Sequence, residues 1–461
     1  MDTEPATARR APDRAAGSYT AHRGRTPQQR RDYSRQHRET GVGLMDERDR
    51  LASREYIAAR GRRRPAHAVR NDAALREAAI AVIADVGWDE FSLSKASGAT
   101  GVAKSSVQKR YDGKAGLAAE AWERDLHPAL TGALGRALAT GLPPAASDPS
   151  VLEPATGFID AMTAFARPAP GIRAAVELVL ASLVDPALAG PVLEPTRQWL
   201  CDHVTGTPDP VRAAQGTAIL TWALGLAVFS TRPWTATMDL APALAHAHRA
   251  LANPTTPVAL PDAVAGHLYD SPFNTDDPRI DLALDNALAS IGTIGYHRTR
   301  LVDIATKTGV SEGFILIRFT TKLGLMRAII DAGYAEGYQA LIDYQERIAA
   351  EHGPGIAEAT AWRQYLDPRI SDRQTLGMET DRLSLFNPTM RDTTFPQDLA
   401  VLDQQLAATP DTDPNTATGR IHLDFATGHG LPITALLLPE AWTLPFNTIT
   451  EPYLQNTTPD A

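Results

Sequence analysis

Two stretches of this chain follow one pattern, and that duplication limits what the chain can fold into more than any other feature. In residues 92 to 114, SLSKASGATGVAKSSVQKRYDGK, a short helix with Leu93 and Ala96 on its apolar face runs to Gly101. Val102 follows the turn, and Ala103 opens a second short helix carrying Lys104, Ser105, Gln108 and Lys109. That is the layout of a helix-turn-helix, whose second helix is shaped to enter a major groove. Landmarks Gly87, Trp88, Leu93, Gly101, Val102, Tyr111, Lys114 and Leu117 recur as Gly295, Tyr296, Leu301, Gly309, Val310, Phe319, Lys322 and Leu325, all at an offset of 208. One such match arises easily by chance, but a chance hairpin has no reason to recur at a constant offset.

The spacing of these landmarks resembles the DNA-binding module of the tetracycline-repressor-like (TetR) family. There an amphipathic helix is followed by a Gly-aromatic pair, a short helix, Gly-Val, a recognition helix, an aromatic and a Lys before the fourth helix. Here Ala74 to Val86 supplies the first helix, with Leu75, Ala79, Val82, Ile83 and Val86 at helical spacing and Asn71 or Asp72 as its cap. The sequence departs from the family pattern at Gln108, where an aromatic is usual, and at Gly98 inside the first short helix.

The duplication extends past the heads. Leu183-Val184-Asp185-Pro186 is answered by Leu385-Phe386-Asn387-Pro388, and Thr207-Pro208-Asp209-Pro210 by the run from Thr409 to Pro414. Trp222 with Gly225 is answered by Phe425 with Gly428. With no alternating strand pattern, the expected class is all-α, built of two tandem TetR-like units. The expected divisions are a disordered basic extension (1–65), a first helix-turn-helix domain (66–118), a first helical body (119–252), a linker (253–277), a second helix-turn-helix domain (278–326) and a second body (327–461). Pro254, Pro257, Pro261 and Pro272 mark the linker, within which Val258 to Leu268 can dock as a short helix. Asp277 caps the second module and Pro278 takes a first-turn position.

A formal charge of -9 looks unsuited to a DNA binder until it is divided along the chain. Residues 1 to 64 hold 16 Arg against 9 acidic residues, and residues 92 to 114 hold five basic residues against one Asp. An acidic body with basic heads is compatible with phosphate binding, because affinity follows the charge at the docking face. The N-terminal stretch reads either as a basic tail or as an over-extended start preceding Met45. The apolar stretch Ile172 to Val184, interrupted by Arg173 and Glu177, reads as a buried helix and not as a membrane span. A single Cys201, expected in packing, and the lack of an apolar leader core fit a reducing cytoplasm. No two-His or Cys-x-x-Cys spacing offers a metal site, no cofactor is implied, and no nucleophile elbow or Gly-rich phosphate loop points to an enzyme.

The resemblance implies a residue-level reading. In the first head Lys104, Ser105 and Gln108 would read base edges, and Ser92, Ser106, Lys109 and Lys114 would hold phosphates. Arg62, Arg63, Arg64 and Arg70 form an arm for the minor groove or the backbone, or else a solvated tail. In the second head Arg300, Arg318 and Lys322 would serve phosphates. Its recognition helix, with Phe314, Ile315, Leu316 and Ile317, either touches thymine methyls or is partly buried in a structural role.

By the same resemblance, Ala213 to Ser230 and Ile421 to Leu438 would pair within one chain as a pseudo-dimer. Gly225 and Gly428 would permit their close approach. An effector pocket is expected in the bodies, and Trp199, Trp222, Trp234, Trp362 and Trp442 are candidates for its lining as well as for ordinary core. The partners implied are a double-stranded DNA operator and a small-molecule effector, with no membrane; the runner-up is a ligand- or protein-binding module that does not bind DNA.

Overall fold

The computed structural model describes residues 66–142, 155–261, 273–332, 338–407 and 414–455. Among these residues every regular element is helical. The basic extension, including Arg62, Arg63 and Arg64, lies outside them, as do the centre of the expected linker and residues 408–413.

The first four helices are α1 (Ala66–Glu90), α2 (Leu93–Thr100), α3 (Lys104–Tyr111) and α4 (Lys114–Ala121). α1 changes direction at Gly87, whose φ of 76° and ψ of 171° are left-handed-side values that a residue with a Cβ resists. It begins earlier than its sequence suggests, so neither Asn71 nor Asp72 is a cap; both lie inside the helix. Leu75, Ile83, Trp88, Ala96, Val107, Tyr111 and Leu117 form the core of this head. The helical path continues through Trp122–Leu126 into α5 (His127–Gly141), carrying the same core into the body by way of Trp122, Leu126 and Leu130.

The first body consists of α6 (Thr156–Ala166), α7 (Pro170–Ser182), α8 (Glu194–Leu200), α9 (Pro210–Phe229) and α10 (Ala241–Ala252). α9 is long and apolar enough to cross a membrane, yet it is the central helix of the core, buried from Ala213 through Phe229. Cys201, expected in packing, is exposed one position past the buried Leu200.

A second four-helix head follows, comprising α11 (Pro278–Ile294), α12 (Leu301–Thr308), α13 (Glu312–Phe319) and α14 (Lys322–Ala332). The Asp277 carboxylate accepts from the Arg279 N–H at 2.9 Å, and Pro278 opens the helix, as the sequence indicates. Its core joins Leu284, Ile291, Tyr296, Ile304, Ile315, Leu325 and Ile329 to Leu383 and Met390. The chain ends with α15 (Tyr338–His352), α16 (Pro354–Tyr365), α17 (Ser371–Phe386), α18 (Pro388–Ala407), α19 (Pro414–Leu437) and α20 (Asn447–Gln455).

α9 and α19 pack backbone to backbone. A Cβ on Gly225 would collide with the Ala426 carbonyl and one on Gly430 with the Thr221 carbonyl, while the Thr221 and Thr434 hydroxyls meet at 3.0 Å. The second small residue of this crossing is therefore Gly430 and not Gly428, which has open space around it. Residues 253–261 are strapped to α20: the Thr255 N–H donates to the Thr448 carbonyl and the Asn447 amide to the Thr256 carbonyl, both at 3.0 Å. Val258 to Pro261 have no regular secondary structure, and the rest of the expected linker helix lies outside the described residues.

Candidate nucleic-acid interface

The Ser92 hydroxyl caps α2 by accepting from the Lys95 N–H at 3.3 Å, and Gly101 makes the left-handed turn at φ 69°. α3 is then held from beneath. Val107 and Tyr111 are buried, the Tyr111 hydroxyl donates to Asp72 at 3.2 Å, and Arg110 pairs with the same carboxylate. Asp72 thus anchors α3 from inside α1, a role that its helix-capping chemistry does not suggest. The outer face of α3 presents Lys104, Ser105, Ser106, Gln108 and Lys109 to solvent. Arg70 is exposed on α1.

Lys114 is placed differently from the phosphate-holding position expected for it. Its ammonium donates to the Trp88 carbonyl at 3.0 Å and lies 4.1 Å over the indole ring, and burial lowers its pKa. Lys322 repeats this arrangement, donating to the carbonyls of Tyr296 (2.8 Å) and Thr299 (3.0 Å) and lying 4.2 Å over the Tyr296 ring. A free carbonyl at a helix end draws a nearby cation strongly. Both lysines therefore close the chain reversal after helix one instead of projecting outward.

In the second head Ser311 caps α13 through the Phe314 N–H at 3.1 Å. Ile315 is buried and Phe314 half-buried beneath the Arg279 guanidinium at 4.8 Å, but Leu316 is 38% exposed and Ile317 89%. The partial burial that was one of the two alternatives for this helix is thus confined to a stripe of Phe314, Ile315 and Phe319, because the apolar run covers more of the helix circumference than the head can enclose. Arg318 is exposed, whereas Arg300 is committed to Asp303 at 2.6 and 2.8 Å.

Behind the heads lies a charged joint that sequence reading did not find. Glu177 of α7 accepts the Trp88 N–H at 2.7 Å, and Glu379 of α17 accepts the Tyr296 N–H at 2.6 Å. Each N–H follows a glycine of positive φ, Gly87 or Gly295, packed against an opposing side chain: a Cβ would come within 2.7 Å of Phe386 or 2.9 Å of Val184. Arg382, nine-tenths or more buried, binds Glu177 and Glu379 at 3.0 Å and pairs with Asp89, which His297 also approaches at 3.3 Å. Burial acts to lower the Arg382 pKa, but the three carboxylates outweigh it and hold the guanidinium charged; burial pushes the Glu177 carboxyl up despite its partner. The only hint in the sequence was the unusual Glu177 inside an apolar helix.

On the residue of α17 before Arg382, Asp381 joins a second buried cluster. Arg232 binds Asp381 at 3.2 Å and Asp398 at 3.0 Å, and His429 meets Asp381 at 2.8 Å. Beside it, a cavity of about 120 Å³ is lined by Ile159, Thr163, Leu226, Phe229, Ser230, Thr235, Met238 and His422 among others. None of the tryptophans expected at an effector pocket lines it. Trp222 and Trp362 meet edge-to-face at 6.4 Å in packed core, and Trp199 stacks on His203 at 4.5 Å. Trp442 packs against the core as a partly buried residue, and Trp234 sits edge-on to Phe229, whose ring does line the cavity.

No curated protein matches the chain. Residues 283–329, from within α11 to within α14, match the family model described as bacterial regulatory proteins, tetR family. That span includes Arg300, Arg318 and Lys322 and not the residues of α2 and α3. The chain therefore carries a TetR-type helix-turn-helix domain at residues 283–329.

Proposed function

We propose that this protein is a DNA-binding transcriptional regulator, acting as a repressor, whose two heads read the halves of one operator and are repositioned by a small-molecule effector. In this reading the two halves are tandem TetR-like units, and α9 and α19 form the core of a single-chain pseudo-dimer. The observation that carries it is the pairing of a matched helix-turn-helix at 283–329 with a polar, solvent-facing α3 on the other head.

Each recognition helix then has its own chemistry. Lys104 donates to guanine O6 and N7 and Gln108 pairs with adenine, each worth roughly 1–3 kcal/mol of discrimination. Ser105 joins them at the base edges, while Ser92, Ser106 and Lys109 fix register on the first side. On the second, Arg318 serves phosphates while Leu316 and Ile317 contact thymine methyls. The operator is accordingly two unlike half-sites.

Selection from a random DNA pool tests this, with the intact chain run beside Lys104→Ala/Gln108→Ala and Ile317→Ala/Arg318→Ala variants. Two unlike motifs, each lost with its own pair, are expected. The exposed apolar turn of α13 favours the second reading, a protein- or ligand-binding module; absence of any enriched sequence would overturn the first reading and turn the search to ligands and protein partners.

A further inference from the structure

His422 of α19 is 2% exposed, and neither of its ring nitrogens has a hydrogen-bond partner. Buried polar atoms in folded proteins are nearly always bonded, so a side chain with two such orphans marks a place where a water or a ligand group completes the bonding. His422 lines the cavity between α6, the end of α9 and the segment leading into α10.

We propose that this cavity is a binding site for a small uncharged molecule, about one aromatic ring in size and bearing a hydroxyl group, with His422 as its hydrogen-bonding partner. A cavity of this order suits such a guest: an engineered apolar cavity of about 150 Å³ accommodates benzene. Ile159, Leu226, Phe229 and Met238 supply the apolar wall.

The polar groups select the functional group. The hydroxyls of Thr163, Ser230 and Thr235 already donate to backbone carbonyls at 2.7, 2.7 and 2.8 Å, so towards the cavity they offer lone pairs. A neutral imidazole offers one donor and one acceptor. A ligand hydroxyl, which both donates and accepts, satisfies either arrangement. Burial lowers the His422 pKa to about 4, keeping the ring neutral at pH 7. The ionised side chains on the lining are the exposed pair Arg167 and Asp239, of opposite sign, so the site has no net charge to complement an ionic ligand.

The site also borders the buried Arg232 cluster. The Arg232 guanidinium lies 4.6 Å over the Phe229 ring and binds Asp381, the residue before Arg382. That the ligand acts as the effector rests on the regulatory reading above; its binding does not.

The test is calorimetric titration of the full chain at pH 7, without DNA, using phenol, toluene and benzoate. One equivalent of phenol is expected to bind about tenfold more tightly than toluene, the worth of one neutral hydrogen bond, with benzoate not binding. His422→Phe should abolish the preference for phenol, and Ile159→Phe, which fills the cavity, should abolish phenol binding even if the first variant fails to fold. No saturable phenol binding, as for a cavity holding only water, or equal affinity for phenol and toluene, overturns the proposal. Failure of the intact chain to enrich any DNA would remove the regulatory reading and leave the site in place.

Discussion

His422 gives the clearest consequence at the level of one residue. Its folded pKa of about 4 lies below the ordinary value of 6.5, so the folded state favours the neutral ring. Stability from this group is complete above pH 6.5 and is lost as the pH falls towards 4, amounting to about 3 kcal/mol. Urea unfolding of wild type and His422→Phe at several pH values between 7 and 4 should therefore give a shallower acid decline for the variant; parallel declines would refute the assignment. Residue types near the surface were legible in the sequence, since Lys104, Ser105 and Gln108 lie outward as the helical period requires. Lys114 and Lys322 were not, because spacing gives the position of a lysine's Cα but not whether its flexible stem turns towards water or towards a bare carbonyl one helix away.

Among elements, the α9–α19 crossing and the Arg382 joint decide how the helices are held. Gly225→Ala and Gly430→Ala each place a methyl against a backbone carbonyl and should cost about 1–3 kcal/mol or more. Gly428→Ala, in open space within the same helix, should instead gain up to about 1 kcal/mol, giving opposite shifts in denaturation midpoint. The sequence identified the crossing helices and one of its glycines. It could not choose between Gly428 and Gly430, which lie about 200° apart around one helix, because both flanks of α19 are rich in small residues. At the joint, Arg382→Leu strands the carboxylates of Glu177 and Glu379 and should destabilise by about 3–5 kcal/mol. Adding Glu177→Gln and Glu379→Gln should recover part of that loss, since an amide oxygen still accepts the Trp88 and Tyr296 N–H groups; additive losses in this mutant cycle would show that the charges are not coupled.

At the scale of the whole molecule, the two helices that pack most closely belong to one chain. Thermal unfolding should therefore keep its midpoint over a hundredfold range of protein concentration, whereas a midpoint rising with concentration would mean that these helices exchange between chains. The helical class and the helix-turn-helix at 283–329 were legible from the sequence because local periodicity and turn chemistry specify them. The joint was not, since it brings together Asp89, Glu177, Glu379 and Arg382 across nearly 300 residues of chain. Its composition has one further consequence. Glu177 and Glu379, which take the Trp88 and Tyr296 N–H groups, share one arginine as their counter-charge. Loss of the guanidinium therefore unbalances the charge beside Trp88 and beside Tyr296 in one stroke.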